Sequence, residues 1–351
     1  MRWSRLPQTG ILPVERSSHS ITVVGDRLYL FGGEHDPRVP VGNEMYEYCF
    51  ADGTWRVLEV QGEAPSPRVA HSAAAVGTVL YFFGGRSGLA MGEGASNDLY
   101  SFDVTTRTWA RLEPSGQLPP KRSYHTMTSL GRKLYVFGGC GEEGRLNDLY
   151  EYDAEANAWR ALAAPAAEAV PGRGGSCLVA VPDGAGGKAA LYVVAGFCGR
   201  ELDDMHVYNI VDDVWCGDVC PTCKSSAAGG ATSGVAAAVG KLSARSVFGG
   251  AVHTCSKDAC AHKSEVIAYG GEVDPSAKGH DGAGDFCASL MAYGGAGAEG
   301  WRSLDAGGES PGPRGWFAAA TTPDGRFIVH GGLDKNNERL GDMFVLDVHE
   351  N

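Results

Sequence analysis

From Glu272 to Phe286 the chain reads EVDPSAKGHDGAGDF, so Glu272, Asp274, His280, Asp281 and Asp285 fall within 14 residues. Carboxylates with an imidazole suit Fe(II), Mn(II) or Zn(II), and three such donors leaving open positions would let the metal touch a substrate. The interspersed glycines permit the folded-back path that would bring the donors together. A solvated acidic loop has the same composition, and both readings stand at this level.

A second set of metal-ligating residue types lies just upstream. Of ten cysteines, Cys216, Cys220, Cys223, Cys255 and Cys260 fall within 45 residues. Cys220-Pro-Thr-Cys223 has the spacing of a metal knuckle, and Cys255 and Cys260, with His253 and His262 nearby, could complete four ligands of a structural zinc site. A redox pair and unrelated thiols are the other two readings. In a reducing compartment thiols or a metal are favoured over disulfides. No strong nucleophile motif and no phosphate-cradling glycine loop ahead of a helix occurs.

These residues sit within a chain that repeats itself six times. Each unit opens on an arginine: Arg16, Arg68, Arg122, Arg173, Arg245 and Arg314. In the first three a histidine follows three positions later, at His19, His71 and His125. An apolar run then closes on two small residues, as in LYLFGG to Gly33, LYFFGG to Gly85 and LYVFGG to Gly139, with later copies ending at Gly196, Gly271 and Gly332. A second strand-like run follows (NDLYSFD, NDLYEYD), and a tryptophan opens a third, at Trp55, Trp109, Trp159, Trp215 and Trp301. Short runs rich in aromatic and β-branched residues, bounded by Gly, Asp and Asn, are strands, and each unit is a small antiparallel sheet whose faces need neighbours.

Successive doublets are 52, 54, 57, 75 and 61 residues apart. Units of this size and content resemble kelch repeats, the four-stranded blades of a β-propeller. The expected fold is all-β, a single six-bladed kelch-type propeller over residues 1–351. The sixth unit lacks a terminal tryptophan, but WSRL at Trp3 matches WRVL at Trp55, so the N-terminal strand is expected to complete the last blade and close the ring. Blade five departs from the period twice, in a Gly/Ala/Ser-rich stretch over about 217–244 that reads as a flexible loop and in a Cys-rich insertion at 254–263.

The propeller assigns places to the candidate residues. Recurrence of the arginine in every unit favours a structural use, bonding backbone carbonyls, over an anion-holding ring at the mouth; the repeated Trp and His read as packing residues. Function belongs where the copies differ, in the loop after each doublet, which in a propeller lies on the pocket face. There stand Glu34, Arg86, Cys140, Phe197, Glu272 and Leu333. Two acids, one base and apolar residues around one mouth suit a small polar ligand with an apolar tail.

A narrower resemblance rests on ARSVFG (244–249), GGEVDPSAKGHDGAGDF (270–286), PRGW (313–316) and HGGLDKNNERLGDMFVLDV (330–348), with GRGG at 172–175 and the GGR ending at Arg86. Together these resemble the plant specifier proteins, the nitrile-specifier, epithiospecifier and thiocyanate-forming proteins of glucosinolate breakdown. The resemblance implies Fe(II)-dependent, lyase-like diversion of the aglucone released by myrosinase, away from isothiocyanate and toward nitrile-type products. It also implies that Arg86 contacts the substrate's sulfate and that iron is held by a Glu-x3-Asp-x3-His motif running from Glu272 to His280. The central position of that motif is Ser276 here, which removes one negative charge; Asp274 is the nearby substitute. The Cys-rich insertion has no counterpart in the family pattern.

Composition bounds the rest. Gly and Pro make up 68 of 351 residues, close to a fifth against an average of about 12%, which speaks against a helix bundle. With 43% hydrophobic and 21% charged residues, disorder is excluded. A net charge of −12 without a Lys/Arg run makes nucleic acid and anionic membranes poor partners. No apolar stretch nears the length of a membrane span, and no hydrophobic signal region opens the chain, giving the expectation of a cytoplasmic protein. The expected partners are the aglucone and myrosinase; the competing expectation is a propeller without this activity, binding a protein partner or serving another metal-assisted function.

Overall fold

The computed structural model describes residues 1–88, 93–166, 168–182, 188–216, 240–253, 264–276, 282–294 and 300–348. Six antiparallel sheets correspond to the six repeats, in order around a ring. Blade three shows the pattern in full: Thr126–Leu130 lines the channel, followed outward by Lys133–Cys140, Arg145–Asp153 and Ala158–Ala161. The outer strand of blade six is Arg2–Arg5, antiparallel to the end of Arg339–Asp347 with Trp3 opposite Leu346. The ring is therefore closed by the N-terminal strand, as the WSRL match implies.

Among the described residues, six hydrophobic cores lie between blades rather than within them. Tyr29, Phe31 and Met45 of blade one meet Leu80, Phe82, Phe102 and Trp109 of blade two in one of them. Trp3 packs at the seam of blades five and six, 4.9 Å from the Tyr269 ring and 6.3 Å from Phe327, and is 2% exposed. Truncating a buried tryptophan removes transfer energy and leaves a cavity that the sheets on either side cannot close. Trp3→Ala is expected to lower unfolding free energy by about 3–5 kcal/mol, read as a shift of the urea midpoint at constant slope.

Among the described residues, four of the six blade junctions are also tied by a short strand that runs parallel to the next outer strand. Gln61–Gly62 beside Thr108 and Trp109 is one such latch, and Gly307–Gly308 beside Arg2 and Trp3 is another. Gly62, at φ 78°, would put a Cβ 2.1 Å from the Trp109 carbonyl oxygen, so only glycine fits. The stretch read as a flexible loop ends inside such a seam: Gly240 bridges Trp301 and Leu242 is 1% exposed. Residues 217–239 and the insertion 254–263, with Cys220, Cys223, Cys255, Cys260 and His262, lie outside the described residues. Of the cysteines within the described residues, Cys49, Cys140, Cys177, Cys198 and Cys287 are free thiols.

The repeated arginine is a structural residue throughout. In every blade its Nη1 donates to a doublet carbonyl of the same blade, that of Gly32, Gly84, Gly138, Ala195, Gly270 or Gly331, at 2.9–3.1 Å. Blades three, four and six add a bidentate aspartate, Asp148, Asp204 and Asp342. The repeated histidine packs across the blade boundary. His71 Nε2 meets Ser20 Oγ at 2.8 Å, and a Cβ on Gly32 (φ 65°) would come within 2.8 Å of its Cε1. Among the described residues no helix is long and apolar enough to cross a membrane.

Candidate functional site

One turn of backbone in each blade builds the mouth. The residue after the doublet forms a two-way bridge with the residue after the repeated arginine: Ser17 with Glu34, Val69 with Arg86, Ser123 with Cys140, Gly174 with Phe197, Ser246 with Glu272, Gly315 with Leu333. The variable post-doublet residues thus form a ring at one end of the channel, where the sequence placed them.

Two further rings were not legible in the sequence. Across each loop hairpin the post-doublet residue faces a partner: Pro40, Ala95, Arg145, Glu201, Phe286 and Arg339 in order. This brings Arg145, Glu201 and Arg339 to the mouth. One residue past the bridge, Ser18, Ala70, Tyr124, Gly175, Val247 and Trp316 all adopt φ between 48° and 61°. Each N–H there donates to the carbonyl of the preceding member at 2.8–2.9 Å, and the six bonds close on themselves around the channel. That waist holds a left-handed conformation at Val247 and Trp316, which such side chains seldom adopt alone. Tyr124 and Trp316 meet edge to face across it, ring centroids 5.6 Å apart.

Above the waist lies a cavity of about 100 Å³ lined chiefly by Tyr124, Arg145, Phe197, Val247, Glu272 and Trp316, with Ser276 at its rim. Its walls are apolar with opposed charges. Arg145, half-buried, stacks over the Phe197 ring at 4.8 Å. Arg86 is 2% exposed and lies behind the lining: it stacks on Tyr124 at 5.2 Å and its Nη2 donates to the Tyr124 hydroxyl at 2.9 Å. Burial pushes the Tyr124 phenol up to about 12, so it stays neutral and offers a hydroxyl. Arg339 is 3.8 Å from Glu34, a nearly buried pair on the side of the mouth formed by blades six and one.

Glu272 supplies the acidic wall. It is 7% exposed, and burial raises its carboxyl to about 7 against the pull of the Ser276 and Gly284 amides that donate to it. Its own loop therefore folds back over it, which carries Ser276 to the rim. Asp274, two residues on, is exposed opposite Asp285. His280 and Asp281 lie outside the described residues. Glu201, from blade four, is 7% exposed, and its carboxyl is also raised to about 7, by burial and then by the charges of Glu272 and Asp274, against a Ser246 hydrogen bond. Its Oε1 accepts from Ser246 Oγ at 3.2 Å, while Oε2 has no hydrogen-bond partner among the described residues. Among the described residues no three His, Cys, Asp or Glu side chains converge, yet two buried carboxylates, one with a bare oxygen, are hard donors of the kind a divalent cation takes.

Residues 18–250 match the family described as the KLHDC2/KLHL20/DRC7 Kelch-repeats domain. A protein of Thlaspi arvense named N-(sulfonatooxy)prop-2-enimidothioate sulfolyase is 30% identical over 374 aligned positions, covering 99% of this chain and 97% of the relative. Kelch domain-containing protein 3 of Rattus norvegicus is 33% identical over 147 residues, 40% of this chain and 38% of that protein. Host cell factor of Drosophila melanogaster is 32% identical over 151 residues, 38% of this chain and 10% of its own length.

Proposed function

Because the chain belongs to the kelch-repeat specifier family, we propose that it acts on a glucosinolate aglucone and, with Fe(II), diverts it from isothiocyanate to nitrile-type products. The observation that carries this reading is the cavity itself, an apolar slot with Arg145 on one wall and the buried Glu272 on the other. The sulfolyase relative is named for a substrate with a sulfate ester, an imidothioate sulfur and a short apolar chain. A slot with cationic and acidic ends and an aromatic middle offers a place for each part.

The residues have separable tasks. Arg145 places positive charge where a sulfate leaves, and its guanidinium matches that anion's geometry bidentately, while Arg86 adds its charge from behind Tyr124. Tyr124, held by Arg86, presents a neutral hydroxyl beside them. Phe197, Val247 and Trp316 enclose the apolar chain and exclude water, and the closed waist below gives the slot a floor. Glu272, with His280 and Asp274 from the same loop, would hold the cation. A ferrous ion supplies, when bound, an electrophile for the thiolate sulfur. The overall conversion balances without an added oxidant: the dianionic aglucone becomes a nitrile, sulfate and elemental sulfur.

The test is a product assay with purified protein, myrosinase and allylglucosinolate, with and without Fe(II), analysed by gas chromatography. An iron-dependent rise in nitrile or epithionitrile is expected, and Arg145→Ala should cut that share by about tenfold or more, the size of a lost charge-assisted contact. Isothiocyanate alone from folded wild-type protein would overturn the reading. That result would favour the second one, a protein-binding propeller, for which Ser276 in place of a carboxylate at the rim is the supporting observation.

A further inference from the structure

We propose that Glu201 is a ligand of the divalent cation in this chain, supplying from blade four a second buried carboxylate beside Glu272 where the blade-five loop presents Ser276. The inference rests on the reading above, that the mouth holds a cation at Glu272.

Three observations on separate elements lead to it. Ser246 sits between the two glutamates: its N–H donates to the Glu272 carbonyl at 3.0 Å, its carbonyl accepts from the Glu272 N–H at 2.9 Å, and its hydroxyl donates to Glu201 Oε1. Glu201 is thereby fixed beside Glu272 although 71 residues separate them in the chain. Its second oxygen, buried, has no donor among the described residues. A carboxylate oxygen removed from water without a partner is costly, and a cation ligand restores what burial took. The third observation is positional. Of the six hairpin partners around the mouth, Pro40, Ala95, Arg145, Glu201, Phe286 and Arg339, Glu201 alone is acidic, and it stands in the blade next to Glu272.

Ser276 gives the arrangement its chemical sense. A neutral hydroxyl is a weak ligand, and Asp274, the substitute two residues past Glu272, is exposed opposite Asp285, so Glu272 is the one buried carboxylate that the described part of this loop brings to the mouth. Glu201 adds a second from a neighbouring blade, which also makes the cation a clasp between blades four and five.

The experiment is a titration of chelator-stripped full-length protein with Mn(II), followed by electron paramagnetic resonance of the free ion and repeated anaerobically with Fe(II) by calorimetry. Wild type should bind one equivalent, and Glu201→Gln should weaken binding by at least about tenfold. Glu272→Gln should do the same. Adding Ser276→Asp to the Glu201→Gln protein should restore most of the affinity, which a merely misfolded variant would not allow. Glu201→Asp, which shortens the reach and keeps the charge, provides an intermediate case, and thermal unfolding confirms that each variant is folded. If Glu272→Gln loses the metal and Glu201→Gln does not, the inference fails and the metal reading stands. If the wild type binds neither ion, both fail.

Discussion

Lowering the pH through 6.5 toward 4 is expected to unfold the propeller in one cooperative step, well before an average neutral-pH protein of this size. The cause is the set of imidazoles packed between blades. His71 and His330 are pushed down to about 3, chiefly by burial and next by arginines close to them. His19 and His125 are held well below the usual histidine range, again chiefly by burial. A base whose folded value is depressed gives stability that is present above its unfolded value and lost as pH falls toward the folded one. Each such group costs about 1.4 kcal/mol per pH unit over that window. Glu201 and Glu272 act in the opposite sense, since their raised values favour the fold as pH drops from about 7 to their unfolded value of 4.5. Four imidazoles against two carboxylates leave a net loss, and the two contributions part company below 4.5, where these histidines go on titrating and these two glutamates do not. Circular dichroism and tryptophan fluorescence across pH 8 to 3 should show coincident loss. A stability that stays flat to pH 4 would mean the histidines are solvated in ways their packing does not allow. His71→Gln should shift the acid midpoint downward.

The second large effect concerns a single arginine. Arg122→Ala is expected to destabilise by about 3–5 kcal/mol, because it leaves buried partners stranded. The side chain is fully buried; Nε donates to the Pro120 carbonyl at 3.1 Å, Nη1 to Gly138, and the fork grips Asp148 at 2.7 and 2.8 Å. Lysine at this position should not rescue, since a single ammonium cannot serve two carbonyls and a bidentate carboxylate. Arg68 provides the internal control. It makes the same carbonyl contacts, but its aspartate, Asp98, is 3.9 Å away, so Arg68→Ala should cost visibly less. Urea unfolding of both variants distinguishes the two; equal losses would mean that the aspartate contributes nothing.

These contrasts show which parts of the molecule were legible in the chain. The repeating Arg, the doublet and the Trp each recur at nearly constant offsets because each does one local job: the arginine reaches its own blade's doublet carbonyl, the glycine clears the next blade's histidine, and the tryptophan fills the seam. Local jobs leave local signatures. Closure by the N-terminal strand was equally readable, since Trp3 repeats the pattern of the other outer strands and Leu346 is its cross-strand partner. Glu272 and Arg86 could be placed at the mouth from the same reasoning, because both follow a doublet directly.

Arg145 and Glu201 could not. The hairpin partner of the post-doublet residue stands anywhere from five to fifteen residues past the second glycine, at Glu201 in blade four and Phe286 in blade five. Loop length, not a motif, decides which residue turns back into the mouth, and no fixed offset marks it. The waist fails for a different reason. Its six positions keep a constant spacing from the repeated arginine, yet Ser18, Ala70, Tyr124, Gly175, Val247 and Trp316 share no chemistry, because their common task is done by backbone alone. Sequence by itself thus determined the blades, their number, the closure and one ring of the mouth, all set by contacts within a blade or to its neighbour. Only the tertiary structure decided that Arg145 and Glu201 join that ring, and that Arg86 lies behind Tyr124, because those placements depend on how six loops of unequal length converge on one axis.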